Sequence, residues 1–210
     1  MREIRWFCRK GKSKLQCNDH IYFRENGDYG FYCLTNDRFR IGEAESLCPQ
    51  VQKSVADAFE EHPEFFFQES LQDIKDMVVE IIREVYYNLT KDCMLKNDFQ
   101  GGFLLIVVSR KQNSCLWVHC GSGMLVKEDM RGSIEIMSHP AGKNMGAGRS
   151  PLPGMRRCML LSQGAWSCFY RNRELTENGK DFLKKGTKIF GKILDQLEME
   201  EDYSMIEIGL

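Results

Sequence analysis

No apolar run in this chain approaches the length of a membrane span, and no charge of one sign dominates it. Its 29 lysines and arginines stand against 30 aspartates and glutamates, leaving a formal net charge of −1. That balance lacks the basic footprint of a nucleic-acid or anionic-membrane binder. The opening MREIRWFCRK has no apolar signal-peptide region. The expectation is therefore a cytoplasmic protein with neither a nucleic-acid nor a membrane partner. Nine cysteines are present, yet none forms a C-x-x-C pair. Cys8, Cys33 and Cys158 lie in apolar strand-like runs, which suits reduced thiols better than a disulfide framework. A zinc site has only the fragments Cys17-x-x-His20 and His119-Cys120, without four ligands in paired spacing. A redox or zinc-regulated protein using Cys17, His20 and Cys120 is the most distant reading. Proline is scarce, and three of the five prolines fall within residues 139–154. That Gly/Pro-rich stretch has no periodicity and reads as a long surface loop. A phosphate cradle using Lys143 and Arg149 is the minor alternative, because the spacing matches no known cradle.

What is there is ordinary for a globular chain: 210 residues, 42% hydrophobic and 28% charged, suiting one domain over 1–210. The first third alternates with period two. Ile4, Trp6 and Cys8 share one face, and residues 21–24 and 29–34 form a hairpin about Asn26-Gly27-Asp28. The period then lengthens. Leu47, Val51, Val55, Ala58 and Phe59 predict a helix over 44–62, stopped by Pro63. Ser70 caps a second helix, reaching about residue 91, with the stripe Leu71, Ile74, Val78, Ile81, Ile82, Val85 and Leu89. Phe65 to Phe67 read as packing between the helices. Residues 101–138 return to strands, among them GFLLIVVSR, whose unbroken apolar run suits a strand buried on both faces. CMLL at 158–161 is another strand, followed by a helix over 177–199 and the closing strand YSMIEIGL. Strands, two long helices, a strand meander, a helix and a last strand predict an α+β fold with helices covering a largely antiparallel sheet system.

Several local motifs, in this order, resemble those of the metal-dependent type 2C protein serine/threonine phosphatases, especially short bacterial forms. GKSKLQCNDHIY is similar to the family's opening, with Lys14 in place of an arginine and Cys17-Asn18-Asp19 as the triplet entering a strand. FYCLTNDRFRIGEAES, aligned through Ala44, puts Asn36 where the family has its metal-bridging aspartate. Asp37 then takes the following glycine position, and Phe39 and Ile41 those of the turn glycines. GGFLLIVV is similar to the strand opening the second half. WVHCGSGMLV puts Ser122 at the aspartate position of a Gly-Asp-Ser strand end. CMLLSQGAW resembles a strand closing in Ser-Asp-Gly near a tryptophan, with Gln163 for the aspartate. EDYSMIEIGL resembles the terminal Asp-Asn strand, with Asp202 kept and Tyr203 for the asparagine. The resemblance implies an antiparallel β-sandwich flanked by helices in α-β-β-α layers.

The resemblance also implies a chemistry, the hydrolysis of phosphomonoesters by two divalent ions held on aspartates. Magnesium or manganese needs anionic oxygen ligands, and two adjacent ions need enough carboxylates to offset their charge. By the resemblance Asp19 and Asp202 keep the metal role, while Asn36, Ser122 and Gln163 mark a vestigial site. Asp37 is a further metal candidate, although one step along a strand turns its side chain to the other face. Lys14 would meet a substrate phosphate as a point charge rather than a bidentate fork. Set apart from the family, Asp19 and Asp202 are equally turn residues at strand ends. The leading expectation is a bacterial pseudophosphatase, with no metal or weakly bound magnesium or manganese, acting through a protein or phosphoprotein partner. The alternative is an active manganese- or magnesium-dependent phosphatase using Asp19, Asp37 and Asp202.

Overall fold

Both periodicities predicted from the sequence become the corresponding elements in the computed structural model, described here over residues 3–14, 16–36, 40–41, 45–90, 102–140 and 142–210. The order opens with β1 (Ile4–Arg9), β2 (Asp19–Asn26), β3 (Tyr29–Asn36) and the short β4 (Arg40–Ile41) and β5 (Glu45–Ser46). Helices α1 (Cys48–Glu61), α2 (Phe65–Gln68) and α3 (Leu71–Thr90) follow. Next come β6 (Phe103–Ser109), β7 (Ser114–Gly121), β8 (Met124–Asp129), β9 (Ile134–Ser138), β10 (Gly142–Pro151) and β11 (Met155–Leu161). The chain closes through α4 (Gln163–Trp166), β12 (Tyr170–Arg171), β13 (Glu174–Leu175), α5 (Glu177–Lys184), α6 (Thr187–Gln196) and β14 (Tyr203–Gly209).

Two five-stranded sheets are ordered β1-β14-β11-β8-β9 and β10-β7-β6-β3-β2, and their neighbouring strands all pair antiparallel. Alternation along the strands divides the apolar residues into three layers. Tyr32, Leu34, Leu104, Ile106, Leu160 and Ile206 fill the space between the sheets. Phe31, Cys33, Phe103, Leu105 and Val107 face α1 and α3 and meet Val51, Val55, Ile74 and Val78. Met159, Leu161 and Met205 face the other way, against Ala165, Leu183, Phe190 and Leu194. Strand β6 is therefore buried on both faces, as its unbroken apolar run predicts. The architecture is α+β in α-β-β-α layers.

Local chemistry sets the helix starts. Pro49 falls in the first turn of α1, where its missing N–H costs nothing, so the helix starts at Cys48 rather than near residue 44. The Ser70 hydroxyl accepts the Asp73 N–H at 3.1 Å and caps α3. Phe66 packs edge-on against Phe59 with ring centroids 5.1 Å apart, so the aromatic triplet serves the core.

Two expectations need correction, and β1 adds a detail of burial. Residues 142–151 are not loop but the edge strand β10, paired to β7 with an irregularity between Gly142 and Gly146. An edge strand tolerates proline and a bulge, and at Gly148 a Cβ would lie 2.4 Å from the Trp117 ring. Arg149 cradles no phosphate there, because its guanidinium donates to the carbonyls of Phe66 and Glu69. The Lys143 side chain lies outside the described residues. The helix expected over 177–199 is two helices, broken at Gly186 with φ of 81°. In β1 the buried residue is Phe7, facing α6, while Trp6 is 54% exposed because this strand ends its sheet.

Candidate functional site

Five strand ends converge at one end of the sandwich. Asp19 opens β2 and pairs in register with Asn36, the last residue of β3. Ser122 follows β7, Ser162 and Gln163 follow β11, and Asp202 precedes β14. Asp37, the third metal candidate, lies outside the described residues together with Phe39 and Ala44.

Asn36 is held on three sides. Its Oδ1 accepts the Gly102 N–H at 2.6 Å, its backbone N–H donates to the Gly102 carbonyl at 3.0 Å, and its Nδ2 donates to Ser122 Oγ at 3.4 Å. The Ser122 carbonyl in turn accepts the Trp166 indole N–H at 2.9 Å. Asn36 and Ser122, singled out separately in the sequence, thus form one hydrogen-bonded unit. Gln163 begins α4 half-buried, and its side chain has no hydrogen bond among the described residues.

Both Asp202 carboxylate oxygens are occupied by backbone. Oδ1 accepts the Gly11 N–H at 2.8 Å and Oδ2 accepts the Asn18 N–H at 2.9 Å. Asp202 thereby fastens both ends of the β1–β2 connection to the start of β14. Two glycines let these backbones meet: a Cβ on Gly11 would lie 2.0 Å from the Glu200 carbonyl oxygen, and one on Gly164 would lie 2.3 Å from that of Asp202. Sequence reasoning missed Ser162, whose Oγ accepts the Ser204 N–H at 2.8 Å and ties β11 to β14. Its place before Gln163 at a strand end was the available signal.

Asp19 is the exception. It is 7% exposed, and its Oδ2 is buried with no hydrogen-bond partner, as is Ser204 Oγ. Burial pushes its carboxyl up to about 6; the nearby Ser162 and Ser204 hydroxyls lower it, and the Asp202 and Glu201 charges raise it further. Lys14 stands at the rim with its ammonium 3.6 Å from Glu201. Around it, Lys12 pairs with Glu198 at 2.6 Å and Ser13 donates to Glu200 at 2.6 Å, so a basic connection lies along an acidic one. Tyr203 points away, donating to Asp195 at 2.7 Å beside α6, and burial with Asp195 raises its hydroxyl to about 12.

The scattered zinc candidates are not assembled. Cys17 contacts Cys8, Cys120 is buried in the layer beneath α1 and α3, and His119 is buried with Nδ1 2.7 Å from Ser138 Oγ. Burial lowers the His119 imidazole to about 4, which keeps it neutral. Among the described residues no group of three or more His, Cys, Asp or Glu could hold a metal ion.

Two antiparallel sheets flanked by helices, as found here, are consistent with the fold of the type 2C protein phosphatases that the chain resembles in structure. The chain is similar in structure over its whole length to the SiaA-PP2C domain of Pseudomonas aeruginosa, at 12% identity and a TM-score of 0.66, covering 85% of that chain. It is likewise similar to the serine/threonine phosphatase Stp1 from Staphylococcus aureus, at 14% identity and a TM-score of 0.63 over 95% of that chain. RsbX in complex with magnesium matches at 11% identity and a TM-score of 0.61, each chain covered in full. No protein-family model and no curated protein sequence matches the chain. Identities this low carry the fold alone.

The donor set can be tested against the two cations that the fold family implies. Asp202 has both oxygens on backbone N–H groups, Asn36 is neutral with its oxygen on Gly102, and Gln163 is neutral. Asp19 is the only carboxylate of this set whose oxygens are not taken up by backbone N–H groups. One such carboxylate does not fit a pair of hard divalent ions, which needs several.

Proposed function

We propose that this chain, taken as one domain over residues 1–210, is a type 2C phosphatase-like pseudophosphatase of bacterial type that acts by binding a protein or phosphoprotein. The observation carrying this reading is the Asn36 amide, hydrogen-bonded to Gly102 N–H and Ser122 Oγ where the family resemblance expects a metal-bridging carboxylate. A neutral, hydrogen-bonded unit replaces charge that two cations would need. Lys14 is the phosphate contact in this reading. Its exposed pair with Glu201 is worth at most about 1 kcal/mol, so a phosphate could displace Glu201 at little cost. No described helix is long and apolar enough to cross a membrane.

Titration calorimetry with millimolar manganese or magnesium tests the reading, together with hydrolysis of a phosphoserine or phosphothreonine peptide. Neither binding nor turnover is expected. Turnover that disappears in Asp19→Ala would overturn it. The double variant Asn36→Asp, Gln163→Asp should restore manganese binding, and continued failure to bind would mean that the aligned positions are not the vacated site. A second reading, an active phosphatase using Asp19, Asp37 and Asp202, rests on Asp19, whose buried Oδ2 has no hydrogen-bond partner that a cation would have to displace. Manganese binding by the unmodified chain would favour it.

A further inference from the structure

Cys8, near the end of β1, and Cys17, two residues before β2, stand with their Sγ atoms 2.9 Å apart. The strands belong to different sheets, so the contact bridges the sandwich at its candidate-site end. Cys8 Sγ also donates to the Asp19 carbonyl at 3.3 Å, and Cys17 Sγ to the Arg9 carbonyl at 3.4 Å, which aims both sulfurs into one small space. Both thiols are partly exposed. The other described cysteines lack one requirement or the other. Cys33, Cys48, Cys115, Cys120 and Cys158 are buried from any solute, while Cys168 is exposed without a sulfur beside it. The Cys8–Cys17 separation exceeds a disulfide bond of about 2.05 Å by less than an ångström, a gap that side-chain rotation can close.

We propose that Cys8 and Cys17 are an oxidisable dithiol that a peroxide converts into an intramolecular disulfide, locking the connection between β1 and β2. In the first step one sulfur attacks a peroxide oxygen, the O–O bond breaks, and a sulfenic acid forms with release of water. The second sulfur then attacks the sulfenic sulfur. The S–S bond forms, the S–O bond breaks, and the hydroxyl leaves as a second water with the remaining thiol proton. Two thiols are oxidised and one peroxide is reduced. The loop so closed carries Gly11, whose N–H holds one Asp202 oxygen, and the bond lands beside Asn18, whose N–H holds the other. Oxidation would thus fix the backbone cradle of Asp202, whether or not the site binds a phosphoprotein.

The basic residues between the cysteines make the test direct. Arg9, Lys10, Lys12 and Lys14 place trypsin cleavage sites between Cys8 and Cys17. The full chain is treated with hydrogen peroxide, alkylated, digested and read by mass spectrometry. The expected result is one cross-linked peptide pair, lighter by two hydrogens and separated by dithiothreitol, with both thiols lost in step. Exposed Cys168 serves as the internal control and is oxidised without forming a cross-link. Recovery of Cys8 and Cys17 as separate alkylated or sulfinic peptides once Cys168 is fully oxidised would overturn the proposal. In Cys17→Ser, Cys8 should be trapped as a sulfenic acid by dimedone. A disulfide from Cys8 to any other cysteine in that variant would overturn the specific pairing.

Discussion

The two ends of the sandwich bury carboxylates in opposite ways. At one end Glu207 is 5% exposed and meets a full set of partners. Arg157 Nη1 donates to it at 2.7 Å, Thr187 N–H donates at 2.8 Å, and the Thr187 hydroxyl bonds it as well. Arg157 also holds Glu128 and donates to the carbonyls of Leu183 and Lys184 at 2.9 and 3.0 Å. Burial pushes the Glu207 carboxyl up, but the Thr187 and Arg157 bonds outweigh it and hold it below the ordinary range. At the other end Asp19 is buried almost as deeply, with one oxygen unpartnered and its carboxyl raised. Similar exposure thus goes with opposite shifts: burial dominates at Asp19, whereas Thr187 and Arg157 overcome it at Glu207. The satisfied end is built for stability. The unsatisfied end retains a charge that the fold itself does not need.

The contrast is broken most severely by Arg157→Met. For cations, Glu128 would keep only the exposed Arg156 at 3.1 Å and Glu207 only the exposed Arg5 at 3.6 Å, and the expected loss is about 3 kcal/mol, read as a lowered urea midpoint with unchanged slope. A loss below roughly 1 kcal/mol, the scale of an exposed pair, would show that the network contributes little. Asp19→Asn should act in the other direction. A carboxyl raised from 3.8 to about 6 favours the fold fully below pH 3.8 and loses that contribution as pH rises through 6. At pH 7 its removal should therefore stabilise by about 3 kcal/mol, with the difference from the parent chain vanishing near pH 4. Equal stability of the two proteins at pH 7 would mean that Asp19 has a partner in solution. The smallest effect is expected for Lys14→Ala, which removes only an exposed pair with Glu201 and should change the urea-derived stability by less than about 0.5 kcal/mol.

Elements whose packing is repeated along one segment were legible from the chain. The two-sided burial of β6 and the stripe of α3 follow from their own periodicity. Strand β10 was not, because its ladder comes wholly from β7 and its Gly148 answers to Trp117, a residue some thirty positions earlier in rough count. The break at Gly186 was visible as a glycine, but its need for a left-handed conformation depends on how α5 and α6 meet the sheet. At the candidate site the motif positions Asn36, Ser122, Gln163, Asp19 and Asp202 were named from resemblance, and the structure brings their strand ends together. Their bonding was not readable. The Asn36–Ser122 contact and the Cys8–Cys17 contact join segments that no local pattern relates.

Strand β14 joins β1 to β11, carrying Asp202 just before it and Glu207 near its far end. It is also the last element in chain order, and its pairing Ile4↔Ile208 spans nearly the whole sequence. Contacts of such long separation carry a large loop-closure entropy and slow the search for the native state. During synthesis Arg157, Glu128 and Asp19 all leave the ribosome before β14 does, and the first sheet stays open between β1 and β11 until it arrives. Once in place this one strand closes the sheet, supplies the Glu207 carboxylate for Arg157 and anchors the β1–β2 connection, so a single element completes both the satisfied and the unsatisfied end.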